Sequence, residues 1–363
     1  MRIDNELKLD YDDVLIRPKR STLNSRKDVG LERTYSFLHS SKTWTGIPIV
    51  ASNMASSGTF EMARVFAEHK MLVALHKHYT LDELGVFFYE HNYNDYIIYT
   101  TGIRDEDYNK LNSIIKMGLH DKFSFICIDV PNAYLERVVG KVREIRKLFP
   151  DHIIIAGNVV TNEMTEELLL NGADIVKVGI GSGGACLTRV KAGVGYPQLS
   201  AVIETSDAAH GIGAKHEGRG NGLICADGGT VYPACIAKAL CAGADFVMVG
   251  SQLAGYDQSG GDIVVKDNVN YKMHYGSSSN TAMIKNYGSV DSHRASEGRT
   301  ALVPLKGDVN NWIQDVLGSL RSTGTYIGAR NLKEFPRRAT FVRVSSVLNK
   351  AYEKYDYDDN TAL

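Results

Sequence analysis

Short, unbroken apolar runs recur along this chain, with amphipathic stretches between them. The runs predict strands over 48–52, 71–76, 96–101, 123–129, 152–156, 175–178, 223–226 and 246–249. Runs of this length without polar alternation suit strands covered on both faces. The stretches 59–69, 81–91, 132–148, 162–171, 197–210 and 233–241 carry the helical period. Strand alternating with helix points to a parallel sheet with right-handed crossovers. Eight strand runs favour a closed (β/α)8 TIM barrel, an α/β fold, over an open sheet. Two matching Gly-Ala-Asp turns, at 172–174 and 243–245, each lead into an apolar strand and echo one another as barrel units do.

Length fits that picture. A chain of 363 residues would suggest two domains by average size, but such barrels often exceed the average as one unit. The chain therefore reads as a single barrel domain over 1–363. Residues 256–303 break the pattern: they are rich in Gly, Ser, Asn and Tyr, and they follow the last strand. A long insertion there reads as a flap over a site. Residues 352–363 read as a polar tail.

Charge and composition narrow the function classes. A net charge of −1 gives no electrostatic footprint for nucleic acid or an anionic membrane. No apolar run is long enough to span a bilayer. The first residues, Met-Arg-Ile-Asp-Asn-Glu, lack an apolar signal core, which predicts a cytoplasmic protein. The five cysteines form no CxxC pair and no metal-ligand spacing with histidine, so they read as reduced thiols. Cys127 and Cys225 lie in strand-like runs, and Cys235 and Cys241 in a helical one.

Cys186 differs. It ends a glycine-rich loop, Gly179-Ile180-Gly181-Ser182-Gly183-Gly184-Ala185-Cys186, that follows the strand at 175–178. Such a loop can deliver a thiol to a ligand, or can be a plain turn that holds a small hydrophobe; the segment alone leaves both open. A barrel places active-site groups at the C-terminal ends of its strands. Asn53, Lys77, Asp129, Asn158, Cys186, Asp227-Gly228-Gly229 and Gly250 are all expected there.

Several motifs coincide in one family. They are LDYDDVLIRPKRS at 9–21, HKHY at 76–79, AGNVVT at 156–161, the stretch 172–181, VKAGVGYPQLSAVI at 190–203, ADGG at 226–229, RASEG at 294–298 and RSTGTYIG at 321–328. On these the chain resembles the IMP dehydrogenase/GMP reductase family over nearly its whole length. The reductase branch is favoured on two counts. There is no room for the regulatory domain that typical IMP dehydrogenases insert after the second βα unit. No Arg-Tyr pair occurs in 256–303 to activate a hydrolytic water.

The resemblance implies a reaction and a residue set. Cys186 would attack C2 of GMP and expel ammonia, forming a thioimidate that NADPH reduces to IMP. Thr188 and Glu297 would relay protons. The nucleotide would be held by Asp227, Gly228, Gly229, Gly250 and Ser251, and by the flap residues Gly276, Ser277, Ser278, Arg294, Ala295, Ser296 and Gly298. NADPH would meet Lys77, Asp129, Val130, Pro131, Ile180 and Gly181. Ser25, Arg26, Ser322, Thr323, Gly324 and Thr325 would reach it from a neighbouring subunit of a homotetramer. A monovalent cation, K+, would sit on loop atoms of Gly181, Gly183, Cys186 and Arg189. No GxGxxG fingerprint is present, so the dinucleotide is not expected on a Rossmann unit. IMP dehydrogenase-type oxidation and a nucleotide-binding barrel without turnover are the alternatives.

The chain also departs from the family pattern near the site. Asn-Met-Asp-Thr becomes Asn53-Met54-Ala55-Ser56. Gly-Pro-Gly-Ser becomes Gly181-Ser182-Gly183-Gly184, and Cys-Thr-Thr becomes Cys186-Leu187-Thr188. Gly-Met-Ser becomes Gly276-Ser277-Ser278, and Gly-Gly after the eighth strand becomes Gly250-Ser251. Residues 211–222 read as an inserted polar loop.

Overall fold

The computed structural model describes residues 3–213, 219–290 and 295–347. Its centre is a closed barrel of parallel strands: β1 (Ile49–Ala51), β2 (Leu72–Ala74), β3 (Ile97–Thr101), β4 (Phe125–Asp129), β5 (Ile153–Val159), β6 (Ile175–Val178), β7 (Leu223–Asp227) and β8 (Phe246–Val249). Each strand pairs with the next in sequence, and β8 closes on β1 with Val247 opposite Ile49. All eight predicted strands are present. The fifth runs further than its apolar run suggests, so Asn158 lies within β5 and not beyond it.

The two-residue period of a strand sorts the side chains. Ile126, Ile128, Val176, Val178, Ile224 and Ala226 face outward and join the helix-packed core. Phe125, Cys127, Ile153, Ile155, Ile175, Leu223, Cys225 and Phe246 face inward and fill the barrel. Burying a side chain such as Phe125 or Phe246 contributes about 1.5–3 kcal/mol. Following the same period towards the C-terminal rim, the next inward positions are Asp129, Lys177 and Asp227. The barrel floor is shut by a hairpin, Arg33–Ser36 paired with Thr43–Gly46, which the sequence reading did not anticipate. Its Tyr35 ring lies 4.6 Å from Phe246, and Trp44 and Phe37 complete the plug.

Around the barrel run α1 (Phe60–Glu68), α2 (Leu81–Glu90), α3 (Asp105–Lys116), α4 (Glu136–Leu148), α5 (Asn162–Leu170), α6 (Gln198–Gly211) and α7 (Pro233–Cys241). Local chemistry starts several of them. Thr59 caps α1 by accepting from Met62 N, and Thr80 and Glu83 form a capping box on α2. Helix α3 was not predicted: it buries only Leu111 and Ile114, too few to show a stripe. Cys127 and Cys225 lie in β4 and β7, and Cys235 and Cys241 in α7, as expected, and all four are buried.

The excursion after β8 is folded. Strands β9 (Ile263–Lys266), β10 (Val269–Tyr275) and β11 (Thr300–Pro304) make an antiparallel sheet, and α8 (Asn280–Tyr287) sits between β10 and β11. Lys272 fastens its base. The buried ammonium donates to the carbonyls of Tyr256, Asp257 and Ser259 at 3.0, 2.9 and 2.6 Å. His274 Nδ1 lies 2.9 Å from Ser56 Oγ and ties the flap to the loop after β1. Helix α9 (Val309–Ile327) follows and packs on α7 and α1. Residues 214–218 of the inserted loop and the tail at 352–363 lie outside the described residues.

Candidate active site

Strand β6 delivers the glycine-rich loop to the barrel mouth, and the loop meets the flap there. Cys186 and Gly298 form an antiparallel bridge. Leu187 N donates to Glu297 O at 2.6 Å, and Arg299 N donates to Ala185 O at 2.8 Å. These main-chain bonds bring Glu297 beside the thiol loop. Cys186 is half-buried, and its thiol donates to Thr188 Oγ1 at 3.2 Å. The Thr188 hydroxyl in turn donates to Glu297 Oε2 at 2.6 Å. Sulfur, hydroxyl and carboxylate thus form one continuous path for a proton. The other four cysteines are buried, so Cys186 alone stands part-exposed, with a hydroxyl beside it.

Two neighbouring loops press against this one. Gly229 N donates to Ser182 O at 2.8 Å. Gly228 has φ +111°, and a β-carbon there would lie 2.3 Å from Ser182 Oγ, so only glycine fits without displacement. Gly184 faces Ser251 from the loop after β8. The loops after β6, β7 and β8 thus adjoin at Gly184 and Ser251 and at Gly183 and Gly228.

Beneath them lies a charge network that the sequence reading missed. Lys177 Nζ, on the inward face of β6, is 2.5 Å from Asp129 Oδ1 and 2.9 Å from Asp227 Oδ2. Asn158 Nδ2 also donates to Asp227 Oδ2 at 2.9 Å, and to Gly179 O at 2.7 Å. Burial alone would depress the Lys177 ammonium, but Asp129 and Asp227 outweigh it and hold its pKa well above the ordinary lysine value. For Asp129, burial opposes ionisation, and Lys177, helped by Asn53 and Lys77, prevails and keeps it below the usual carboxylate range. The available signal was a lysine inside an apolar parallel strand, Ile175-Val176-Lys177-Val178. A buried charge of that kind requires partners.

The remaining expected residues divide. Lys77 follows β2 at the mouth, with Asp107 3.7 Å away. Below it His76 stacks on Tyr79 at 3.9 Å. Burial first, then His78 and Lys110, push His76 down to about 4, so it is neutral at pH 7. Val130 is buried, with Val130 N donating to Gly157 O, and Pro131 beside it is exposed. Gly276 N donates to Arg299 O, so the turn Gly276-Ser277-Ser278 adjoins the Glu297 segment, with both serines exposed. Ala295 and Ser296 precede Glu297, and Arg294 lies outside the described residues. Ile180 O accepts from Tyr196 N, and Gly181 packs against the Arg189 side chain. Arg189 gives its guanidinium to Asp10 at 2.7 Å, and since a guanidinium has no acceptor, only the Arg189 main chain could meet a cation.

Ser25, Arg26 and the α9 residues form a separate group. Arg26, Asn311, Gln314, Asp315, Gly318, Ser319 and Ser322 line an open cleft of about 520 Å³, and no residue of the Cys186 loop lines it. Ser25 caps the turn at Arg26–Asp28. Thr323 and Thr325 donate to the helix carbonyls of Ser319 and Ser322. Gly324 is buried against Val29.

Fold and site together define a (β/α)8-barrel enzyme with a relayed thiol at its C-terminal mouth. Residues 90–351 match the family model "IMP dehydrogenase / GMP reductase domain". The chain is 52% identical over 358 residues to a GMP reductase of Caenorhabditis elegans, covering 98% of this chain and 97% of the relative. It is 52% identical over 358 residues to one of Onchocerca volvulus, with 98% and 96% covered. It is 49% identical over 356 residues to one of Vibrio vulnificus, with 98% and 99% covered. The chain belongs to the IMP dehydrogenase/GMP reductase family.

Proposed function

We propose that this enzyme reduces GMP to IMP and ammonia with NADPH. The observation that carries the reading is the Cys186–Thr188–Glu297 path, set beside Asp227 and the glycine loops. Proteins that share about half its residues over nearly the whole length bear the name GMP reductase.

The steps follow from the groups present. The Cys186 proton passes through Thr188 towards Glu297, and the thiolate bonds to C2 of the guanine. Ammonia is a poor leaving group unless protonated, so the proton returns by the same path to the departing 2-amino group. The C2–N bond breaks and a thioimidate remains on Cys186. When bound, the dinucleotide supplies the hydride for C2. The C–S bond then breaks, and Cys186 leaves as thiolate.

Binding is assigned to what surrounds the path. Asp227, fixed by Lys177 and Asn158, accepts from the ribose hydroxyls. The glycine loops take the phosphate, and the flap turn at 276–278 covers the base. Lys77 and Asp129 suit the near half of the dinucleotide. Arg26 and Ser322, which share one cleft, suit the far half as presented by a neighbouring copy in a tetramer. Carbonyls on the Gly181–Arg189 loop are hard donors that fit a monovalent cation such as K+. A cytoplasmic location agrees with this substrate pair.

The test is direct. Purified protein is mixed with GMP and NADPH, and NADPH oxidation and ammonia are followed together. Equal release of ammonia and oxidised cofactor, abolished in Cys186→Ala, is the expected result. NADH production from IMP with no GMP reduction, or GMP binding without turnover, would overturn it.

A further inference from the structure

Helix α3 buries only Leu111 and Ile114, yet it carries charge at a regular step. Arg104, Asp107 and Lys110 follow one another three residues apart, so they share one edge of the helix. Each member of that edge reaches the barrel mouth. Lys110 Nζ donates to Lys77 O at 2.7 Å and also to Tyr79 O, which fixes the loop after β2. Asp107 lies 3.7 Å from Lys77 Nζ and accepts from Arg104 N at 3.1 Å. A β-carbon on Gly102 would lie 2.2 Å from Asp107 Oδ2 and 3.2 Å from Lys77 Nζ, so glycine at 102 leaves the space in which those two side chains face each other.

Arg104 serves the flap. Its guanidinium carbon is 5.3 Å from the centroid of the Tyr287 ring, over the ring face. The same ring meets His78 edge to face, with centroids 6.1 Å apart and planes at 78°. Tyr287 is the last residue of α8, so the flap helix ends in a clasp made by α3 on one side and by the Lys77–His78 loop on the other. Glu297 lies further along the same flap. The loop after β2 and the flap thus rest on one helix edge, and they touch each other at His78.

We propose that Arg104, Asp107 and Lys110 are positioning residues: their edge of α3 couples the Lys77 loop to the flap helix, so displacing either one loosens the other. The coupling is a property of the fold. Its consequence for the reaction rests on the preceding reading, in which Lys77 meets the dinucleotide and the flap carries Glu297. A cofactor seated on Lys77 then also holds the flap down.

Limited proteolysis within 256–303 reads how often the flap is open, because cleavage tracks the open population when reclosing is faster. Arg104→Ala, Tyr287→Ala, Tyr287→Phe, Lys110→Met and the double variant Lys110→Met/Tyr287→Ala are compared without ligand, and the thermal midpoint of each is recorded. Arg104→Ala and Tyr287→Ala should be cut about two- to fivefold faster, the effect of losing one cation–π contact at an exposed site. Tyr287→Phe keeps the ring and should be cut at the wild-type rate. Lys110 bonds to the loop after β2, yet Lys110→Met should also speed cleavage in the flap. The double variant should be cut no faster than Tyr287→Ala, because the clasp that transmits the effect is already gone. NADP+ should slow cleavage of the wild type, and slow it less in Arg104→Ala. Wild-type cleavage rates in Arg104→Ala or Lys110→Met, additive effects in the double variant, or equal protection by NADP+ in wild type and Arg104→Ala would each overturn the proposal. Arg104 is exposed, so its variant decides even where Lys110→Met lowers the thermal midpoint. If the wild type neither binds NADP+ nor reduces GMP, the functional reading fails, and the ligand-free comparison still decides this one.

Discussion

Thr188 and Glu297 lie 109 residues apart in sequence, and their side chains meet at 2.6 Å because the cysteine loop and the flap share main-chain hydrogen bonds. The hydroxyl stands between the thiol and the carboxylate, so neither Cys186 nor Glu297 completes the path without it. Glu297→Gln keeps the shape and removes the base. Its kcat should fall about 10²–10⁴-fold with little change in KM for GMP, the range for a positioned acid–base group. Thr188→Ala should show a comparable loss, and Thr188→Ser should recover most of it. Steady-state kinetics read all three. A Thr188→Ala enzyme with full kcat would remove the hydroxyl from the path.

Lys177 joins two carboxylates that the sequence separates widely. Replacing it with methionine leaves Asp129 and Asp227 facing each other without a cation. Breaking a buried pair costs about 3–5 kcal/mol, and the low end applies because both carboxylates reach the mouth. The thermal midpoint of Lys177→Met should fall by several degrees. Its affinity for GMP should fall further than its affinity for guanine base, because Asp227 loses its orientation. An unchanged midpoint in differential scanning calorimetry would refute the linkage.

At the opposite end of the barrel, His210 Nε2 lies 2.8 Å from Asp245 Oδ2. The hydrogen bond to Asp245 raises the histidine pKa against the opposing effect of burial, with Arg33 lowering it and Asp207 raising it further. A raised folded-state pKa means that the charged form stabilises the fold. The gain is complete below the unfolded value of about 6.5 and is lost as pH rises through the folded value. His210→Gln should therefore lower the thermal midpoint more at pH 5.5–6 than at pH 8.5–9. Equal losses across that range would contradict the assignment.

Lys272 holds three carbonyls at the root of the flap, and burial lowers its pKa. Lys272→Met would leave those carbonyls without their donor. Limited proteolysis should then cut within 256–303 faster than in the wild type while the barrel survives. kcat/KM should fall because Glu297 is carried by that segment. Unchanged cleavage would show that the sheet holds without the lysine.

The barrel was legible because its strands are short apolar runs and its turns repeat. The period-2 rule also places Lys177 inward once β6 is known, yet the interaction depends on Asp129 and Asp227 on other strands, and no local pattern reports that. Cys186 could be singled out by its glycine loop, whereas Glu297 was named from the resemblance alone, since no local pattern separates it from a surface carboxylate. Helix α3 and the floor hairpin were hidden by polarity: each buries only a few residues. The flap sheet was hidden for the same reason, since most positions of β9 and β11 are exposed.

The bridge between Cys186 and Gly298 has a consequence for when the sulfur is reactive. Roof and base are one piece of chain. Displacing residues 295–299 from the cysteine loop would separate the Glu297 carboxylate from Thr188 at the same moment. Alkylating reagents should therefore modify Cys186 more slowly when that segment is displaced than when it is seated on the loop.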